Sequence, residues 1–232
     1  MTAWLPGSEE WAALRLSVLV AGLALAGSVL PGVAIGWLLA RRRFPGKSVL
    51  DAVVHLPLVL PPVVTGYALL LLIGREGPAG ALAARLLGRD LAFTRAAAVL
   101  AAAVMGFPLL VRAVRLGIEL VDERLEDAAR TLGAGPARVL LTVTIPLAAP
   151  GILTGLVLAF ARGLGEFGAT ITVAGNIEGV SRTLPLALFT HTQIPGGEAA
   201  ALRLAAISVI LSMAALLISE ILARRVSRRL RG

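Results

Sequence analysis

The chain has 232 residues, 57% of them hydrophobic and only 4% aromatic, with a formal net charge of +8. A mean hydropathy of +0.87 lies above that of a water-soluble domain, so its apolar side chains must meet lipid as well as one another. The lack of cysteine excludes disulfides, thiolate metal sites and thiol nucleophiles, and His55 and His191 lack the spacing of a zinc pair.

The N-terminal MTAWLPGSEEW is acidic, and the apolar run behind it is too long for the core of a cleaved signal peptide. A helix needs roughly 20 apolar residues to cross about 30 Å of hydrocarbon. Five stretches meet that need, at about 14–40, 53–73, 96–114, 140–161 and 199–223. The first contains Pro31 and Gly32, and the second opens with HLPLVLPP, which predicts irregular or kinked first turns. Between spans two and three, ALAARLLG predicts a short interfacial helix. The stretch 166–198 is too polar and broken for a sixth span. It is either a solvated connection or irregular backbone that re-enters the membrane packed on protein.

Orientation follows from the arginines, which cluster beside spans and therefore signal topology before nucleic acid. Arg41, Arg42, Arg43 and Lys47 follow the first span. Arg112, Arg115, Arg124, Arg130 and Arg138 follow the third, and Arg224, Arg225, Arg228, Arg229 and Arg231 follow the fifth. Five spans put all three sets on one side, so the N-terminus is expected outside and the C-terminus inside. No base-reading motif accompanies the charge, and nucleic acid is not an expected partner. The basic C-terminal ARRVSRRLRG is expected to lie against anionic lipid.

The segment of about 121–138, between the third and fourth spans, is the most polar part of the chain's interior. Val121, Leu125, Ala128 and Leu132 recur at helical spacing, with Asp122, Glu123, Arg124, Asp127 and Arg130 on the other faces. Gly133 to Pro136 closes that helix and starts another, giving a helix–turn–helix on the inner side. The pattern alone leaves two readings: a solvated loop helix, or a docking element whose small residues Ala128, Ala129 and Gly133 let another surface approach.

The segment resembles the cytoplasmic loop of permease subunits of binding-protein-dependent ABC importers. That loop reads Glu-Ala-Ala, three residues, Gly, nine residues, then Ile-x-Leu-Pro. Here Asp127-Ala128-Ala129, Gly133 and Val143-Thr144-Ile145-Pro146 stand at those spacings. Asp replaces Glu, Val replaces Ile and Ile replaces Leu, and Glu126 stands beside the altered acid. Beyond the loop, FPGK at 44–47, DAVVHLPLVLPPVVTGYALLL at 51–71, ARTLGA at 129–134 and FARGLGEFGATITVAGN at 160–176 resemble the molybdate branch of that family. Sulfate, thiosulfate and tungstate permeases look alike in these regions.

The resemblance implies an all-α integral membrane permease of the bacterial inner membrane, a single transmembrane domain that translocates an oxyanion. It also implies a homodimer, two ATPase subunits on the inner side and an extracytoplasmic oxyanion-binding protein. The chain carries no phosphate-binding Gly-rich loop, so ATP and Mg belong to the separate ATPase, and no cofactor is expected in this chain. Leu125, Glu126, Asp127, Ala128, Ala129, Leu132 and Gly133 are the expected ATPase-coupling residues.

A dianion in transit needs attraction without trapping, which hydroxyls and backbone amides supply better than buried arginines. Thr65, Gly66, Tyr67, Thr170 and Thr172 are the pathway candidates, with helix packing through small residues as their alternative. Arg162 and Glu166, four residues apart, form either a self-neutralising pair or an outer rim that meets the binding protein. Rival classes are an intramembrane enzyme, which would need a convergent catalytic set that is not visible, and a passive channel, which would need no docking helix.

Overall fold

The structure, a computed structural model, describes residues 7–231. Outside the described set lie the side chains of 87, 219, 220, 222–224 and 226–231, and with them Arg224, Arg228, Arg229 and Arg231 of the C-terminal basic cluster. All regular structure among the described residues is helical. Three long helices form the centre: α1 (Ser8–Arg41), α5 (Arg95–Glu119) and α8 (Ile145–Leu164). The last continues from the short helix α7 (Pro136–Val139) through a π-helical turn at Leu140–Thr144. Pro146 has no N–H to donate back along the helix, so the register change falls where the ladder is already interrupted.

Small residues, more than large apolar ones, bring these helices together. On α1, Ala24, Ser28, Gly32 and Gly36 are all buried at four-residue spacing. A Cβ on Gly32 would come within 2.5 Å of the Leu110 side chain, and one on Gly36 within 2.6 Å of Val114. On α8, Gly151, Gly155, Ala159 and Gly163 form a second such stripe. A Cβ on Gly151 would stand 2.6 Å from the Gly117 Cα, and one on Gly106 would stand 2.9 Å from the Ala159 carbonyl. Apolar side chains gain little by leaving lipid for a neighbouring helix, so close backbone approach supplies the packing.

The expected second span is two helices, α2 (Lys47–Val59) and α3 (Pro62–Ile73), bent by 116° at the break. Pro61 and Pro62 cannot donate N–H groups, and Leu60 before them is extended at ψ 143°. The pair nonetheless follows the length of α5. Asp51 meets Arg115 at 3.2 Å and Val54 packs with Leu39 and Val111, whereas Leu69 and Ile73 pack with Ala97, Ala98 and Ala101 at the other end. Among the described residues four helices, at Ser8–Arg41, Arg95–Glu119, Pro136–Leu164 and Glu198–Ile218, are long and apolar enough to cross a membrane, and the bent pair, taken as one broken span, would bring the number to five.

The short helix expected after it is α4 (Pro78–Leu87). The stretch 166–198 holds α9 (Gly168–Ala174) and α10 (Leu184–Thr192) before the long α11 (Glu198–Arg231). It is packed on protein rather than solvated: Ala169, Val173 and Ala174 join the cluster of Leu69, Ile73 and Ala97, and the Phe93 amide donates to the Val173 carbonyl at 3.0 Å. Two ends of the bundle can thus be named. At one, Glu10 of α1 accepts from Arg203 of α11 at 2.8 Å, and the Ser17 hydroxyl accepts from the Leu184 amide at 2.7 Å. At the other, the arginine end, lie Arg41, Arg115 and the connecting helix α6 (Glu123–Thr131).

Candidate functional site

The α6 segment is built by its caps. The Asp122 carboxylate accepts from the Arg124 amide at 3.0 Å, so the helix begins at Glu123, and Val121, expected inside it, lies before it and is buried. At the other end Gly133 takes φ +87°. Its amide donates to the Arg130 carbonyl at 2.9 Å, and that of Ala134 donates to Ala129 at 3.0 Å. That pair of bonds is a left-handed helix closure that glycine reaches without steric cost.

The face that α6 turns outward is apolar and acidic. Leu125 is 50% and Leu132 89% exposed, and Asp127, Ala128 and Gly133 are exposed beside them, with Ala129 half-buried. Asp127 is held by Arg130 at 2.6 Å. Leu125 also borders an apolar groove between α5 and α8, lined by Leu116, Leu120 and Leu147.

Glu126 behaves differently from the other six expected coupling residues. It is 3% exposed and is the buried residue of α6. Its Oε1 accepts from Arg41 Nε at 3.1 Å and from the Thr144 hydroxyl at 2.9 Å, and its Oε2 accepts from Arg130 at 3.3 Å. It is therefore an internal anchor and presents nothing to a partner. Arg41 adds bonds to Glu123 at 3.2 Å and to the Val121 carbonyl at 2.8 Å. Sequence reasoning assigned Arg41 to topology alone and gave Thr144 only a place in the motif. A single arginine at a span's last turn, with acids eighty residues on, leaves no local signal of pairing.

The structure gathers four of the five pathway candidates at one crossing. Thr65 and Gly66 of α3 are buried, as is Thr170 of α9. Thr172 is half-buried and donates back to the Gly168 carbonyl at 2.8 Å. A Cβ on Gly66 would lie 2.7 Å from Ala169 and 2.9 Å from the Thr172 Cβ, and one on Gly168 would lie 2.8 Å from Pro62. Gly66 and Thr172 are thus helix-packing residues within this chain. The Thr65 hydroxyl is buried without a partner, and Tyr67, 55% exposed, turns away from the crossing.

Arg162 and Glu166 are an ion pair, with Glu166 only 2% exposed. The second carboxylate oxygen accepts from the Ala169 amide at 2.8 Å. Glu166 therefore fixes the start of α9 and does not form an exposed rim, which corrects the rim alternative for this residue. Among the described residues, no group of three or more His, Asp or Glu could hold a metal ion.

A bundle of apolar helices sewn by glycine stripes, with one capped polar helix projecting at its arginine end, is the architecture of a membrane transport permease. Residues 32–231 match the family described as binding-protein-dependent transport system inner membrane component, and the chain belongs to that family. It is 57% identical over 223 residues to the molybdenum transport system permease protein ModB of Escherichia coli K12, covering 96% of this chain and 97% of that protein. The protein of the same name from Haemophilus influenzae is 49% identical, over 95% and 96% of the two chains. A probable sulfate transport system permease from Chlorokybus atmophyticus is 39% identical over 70% of this chain and 56% of its own length. Among solved structures, the fold matches the inward-facing MetNI methionine ABC transporter with a TM-score of 0.70 and 16% identity, over 96% of each chain. A bacterial alginate ABC transporter in complex with a pentasaccharide-bound periplasmic protein matches at 0.71 with 15% identity, over 97% of this chain and 80% of that one.

Proposed function

We propose that the chain is the permease subunit of a molybdate importer, working as a homodimer with two ATPase subunits and an extracytoplasmic binding protein. The observation that carries the substrate is 57% identity across nearly the full length to a molybdenum transport permease. Sulfate is the second reading, favoured by the partial likeness to a sulfate permease. The bundle crosses the bacterial inner membrane with its arginine end in the cytoplasm, as the charge bias requires.

In this reading α6 docks in the ATPase. Leu125, Ala128 and Leu132 enter a groove of the partner while Asp127 meets a cation on it, because these apolar side chains stay exposed in this chain, Leu132 almost entirely. Closure of the ATPase dimer on ATP displaces α6, and the membrane helices change which side they open to. The anion passes along the exposed face of α3 that carries Tyr67, where donors without full charge hold it loosely. Arg162, paired with Glu166, contributes its partly exposed guanidinium beside the same crossing.

The test is the reconstituted complex with the cognate binding protein, measuring anion-stimulated ATP hydrolysis and uptake with molybdate, tungstate and sulfate. Stimulation by molybdate and tungstate but not sulfate is expected. Stimulation by sulfate alone would overturn the molybdate reading. A complex that never retains an ATPase subunit in mild detergent would overturn the importer reading itself.

A further inference from the structure

We propose that Arg41, Glu126 and Thr144 form the joint that carries movement of α6 into the membrane helices. This rests on the reading of α6 as the ATPase-docking helix. Three elements meet on one carboxylate. Arg41 ends α1, Glu126 is the buried residue of α6, and Thr144 closes the π-helical turn from which α8 begins. The Arg41 side chain is 10% and that of Glu126 4% exposed, and Thr144 is 1% exposed.

The backbone of α6 packs chiefly on α7 and the π turn. Its link to α1 is made by Arg41, through Glu126, Glu123 and the Val121 carbonyl. Drawing Glu126 away from Arg41 would leave the buried carboxylate with only the exposed Arg130 as its cation and Arg41 with only the exposed Glu123 as its acid, so α6 and the end of α1 are held to move together. The π turn is the compliant side of the joint. Its hydrogen-bond register differs from that of the helix on either side, and a change of register there lengthens or rotates α8 without breaking it. Glu126 and Thr144 are thus positioning residues, whereas the exposed Asp127 remains available to the partner.

The experiment compares Glu126→Gln, Thr144→Val and Thr144→Ser with the wild type in the reconstituted complex. It measures ATP hydrolysis, uptake, the amount of ATPase subunit retained, and a nucleotide-dependent distance. Because the chain has no native cysteine, a single spin label at Val18→Cys reports on α1 across the two permease copies. In Glu126→Gln and Thr144→Val, the ATPase subunit stays bound and hydrolyses ATP, while uptake per ATP falls roughly tenfold, within the range of site-to-site coupling energies. The nucleotide-dependent change at Val18 is lost in Glu126→Gln, and Thr144→Ser restores wild-type coupling.

Uptake per ATP within twofold of wild type in both variants would overturn the joint. So would a loss of uptake that merely tracks loss of the ATPase subunit. If Glu126→Gln fails to accumulate, the Thr144→Val and Thr144→Ser pair decides the same question. Failure of the wild type to take up molybdate would retire the substrate reading alone, because the distance at Val18 still reports on the joint.

Discussion

The α5–α8 seam and the α6 joint hold the chain by opposite means. Where the seam's backbones come closest the side chains are nearly absent: Gly117 and Gly151 touch backbone to backbone, and Gly155 lies under the Leu110 carbonyl. At the joint the side chains do everything, with one carboxylate gathering Arg41, Arg130 and Thr144. The difference follows the surroundings. In hydrocarbon, a polar side chain is costly and the gain comes from close van der Waals contact between small residues. At the polar α6 end, the charges are paired with one another, and removing one partner of a buried pair costs far more than the pair itself contributes. The seam tolerates no added side chain, and the joint tolerates no lost one.

Enlarging the seam should give the largest loss of stability. Gly151→Leu forces a side chain into the Gly117 backbone. It should lower stability by more than the ~1–3 kcal/mol typical of an overpacked core, seen as loss of monodisperse protein on size exclusion in mild detergent. Gly27→Leu, where a Cβ meets nothing within 4 Å, is the matched control and should behave as wild type. Truncating the joint comes next. Glu126→Ala leaves the buried Arg41 with only the exposed Glu123 as its acid and should cost up to about 3 kcal/mol, read by thermal unfolding of the solubilised chain.

The closing turn of α6 ranks third. Gly133→Ala meets no atom but must hold φ +87°, which costs about 1 kcal/mol and should lower the melting temperature slightly. Smallest in stability is Leu132→Arg, on a side chain 89% exposed, which should change unfolding by no more than ~0.5 kcal/mol. The same variant should abolish retention of the ATPase subunit in a pull-down. Unaltered retention would count against α6 as the docking helix.

Much of this organisation was legible in the chain. The apolar runs, the break at Pro61–Pro62 and the short helix in the first long connection follow from composition and proline chemistry. The glycine stripes were equally present, as Gly151, Gly155, Ala159 and Gly163 at four-residue spacing, but a search for apolar periodicity passes over them. The site was less legible. Glu126 and Asp127 are adjacent acids, and only the helix start set by the Asp122 cap and the position of Arg41 decides which one is buried. Thr65, Gly66 and Thr172 are hydroxyl or small residues, and residue type alone does not separate a pathway from a helix crossing.

The sequence by itself determined which segments are apolar enough to meet lipid and where they break, because hydropathy and proline chemistry act locally. It also carried the spacing of the polar loop, since capping and glycine turns are properties of a few consecutive residues. Only the tertiary structure decided the pairings: the 116° bend between α2 and α3, Glu166 turned inward to hold α9, and Arg41 brought to Glu126 across eighty-five positions. Such contacts depend on where helices come to rest against one another, which no local stretch of residues encodes.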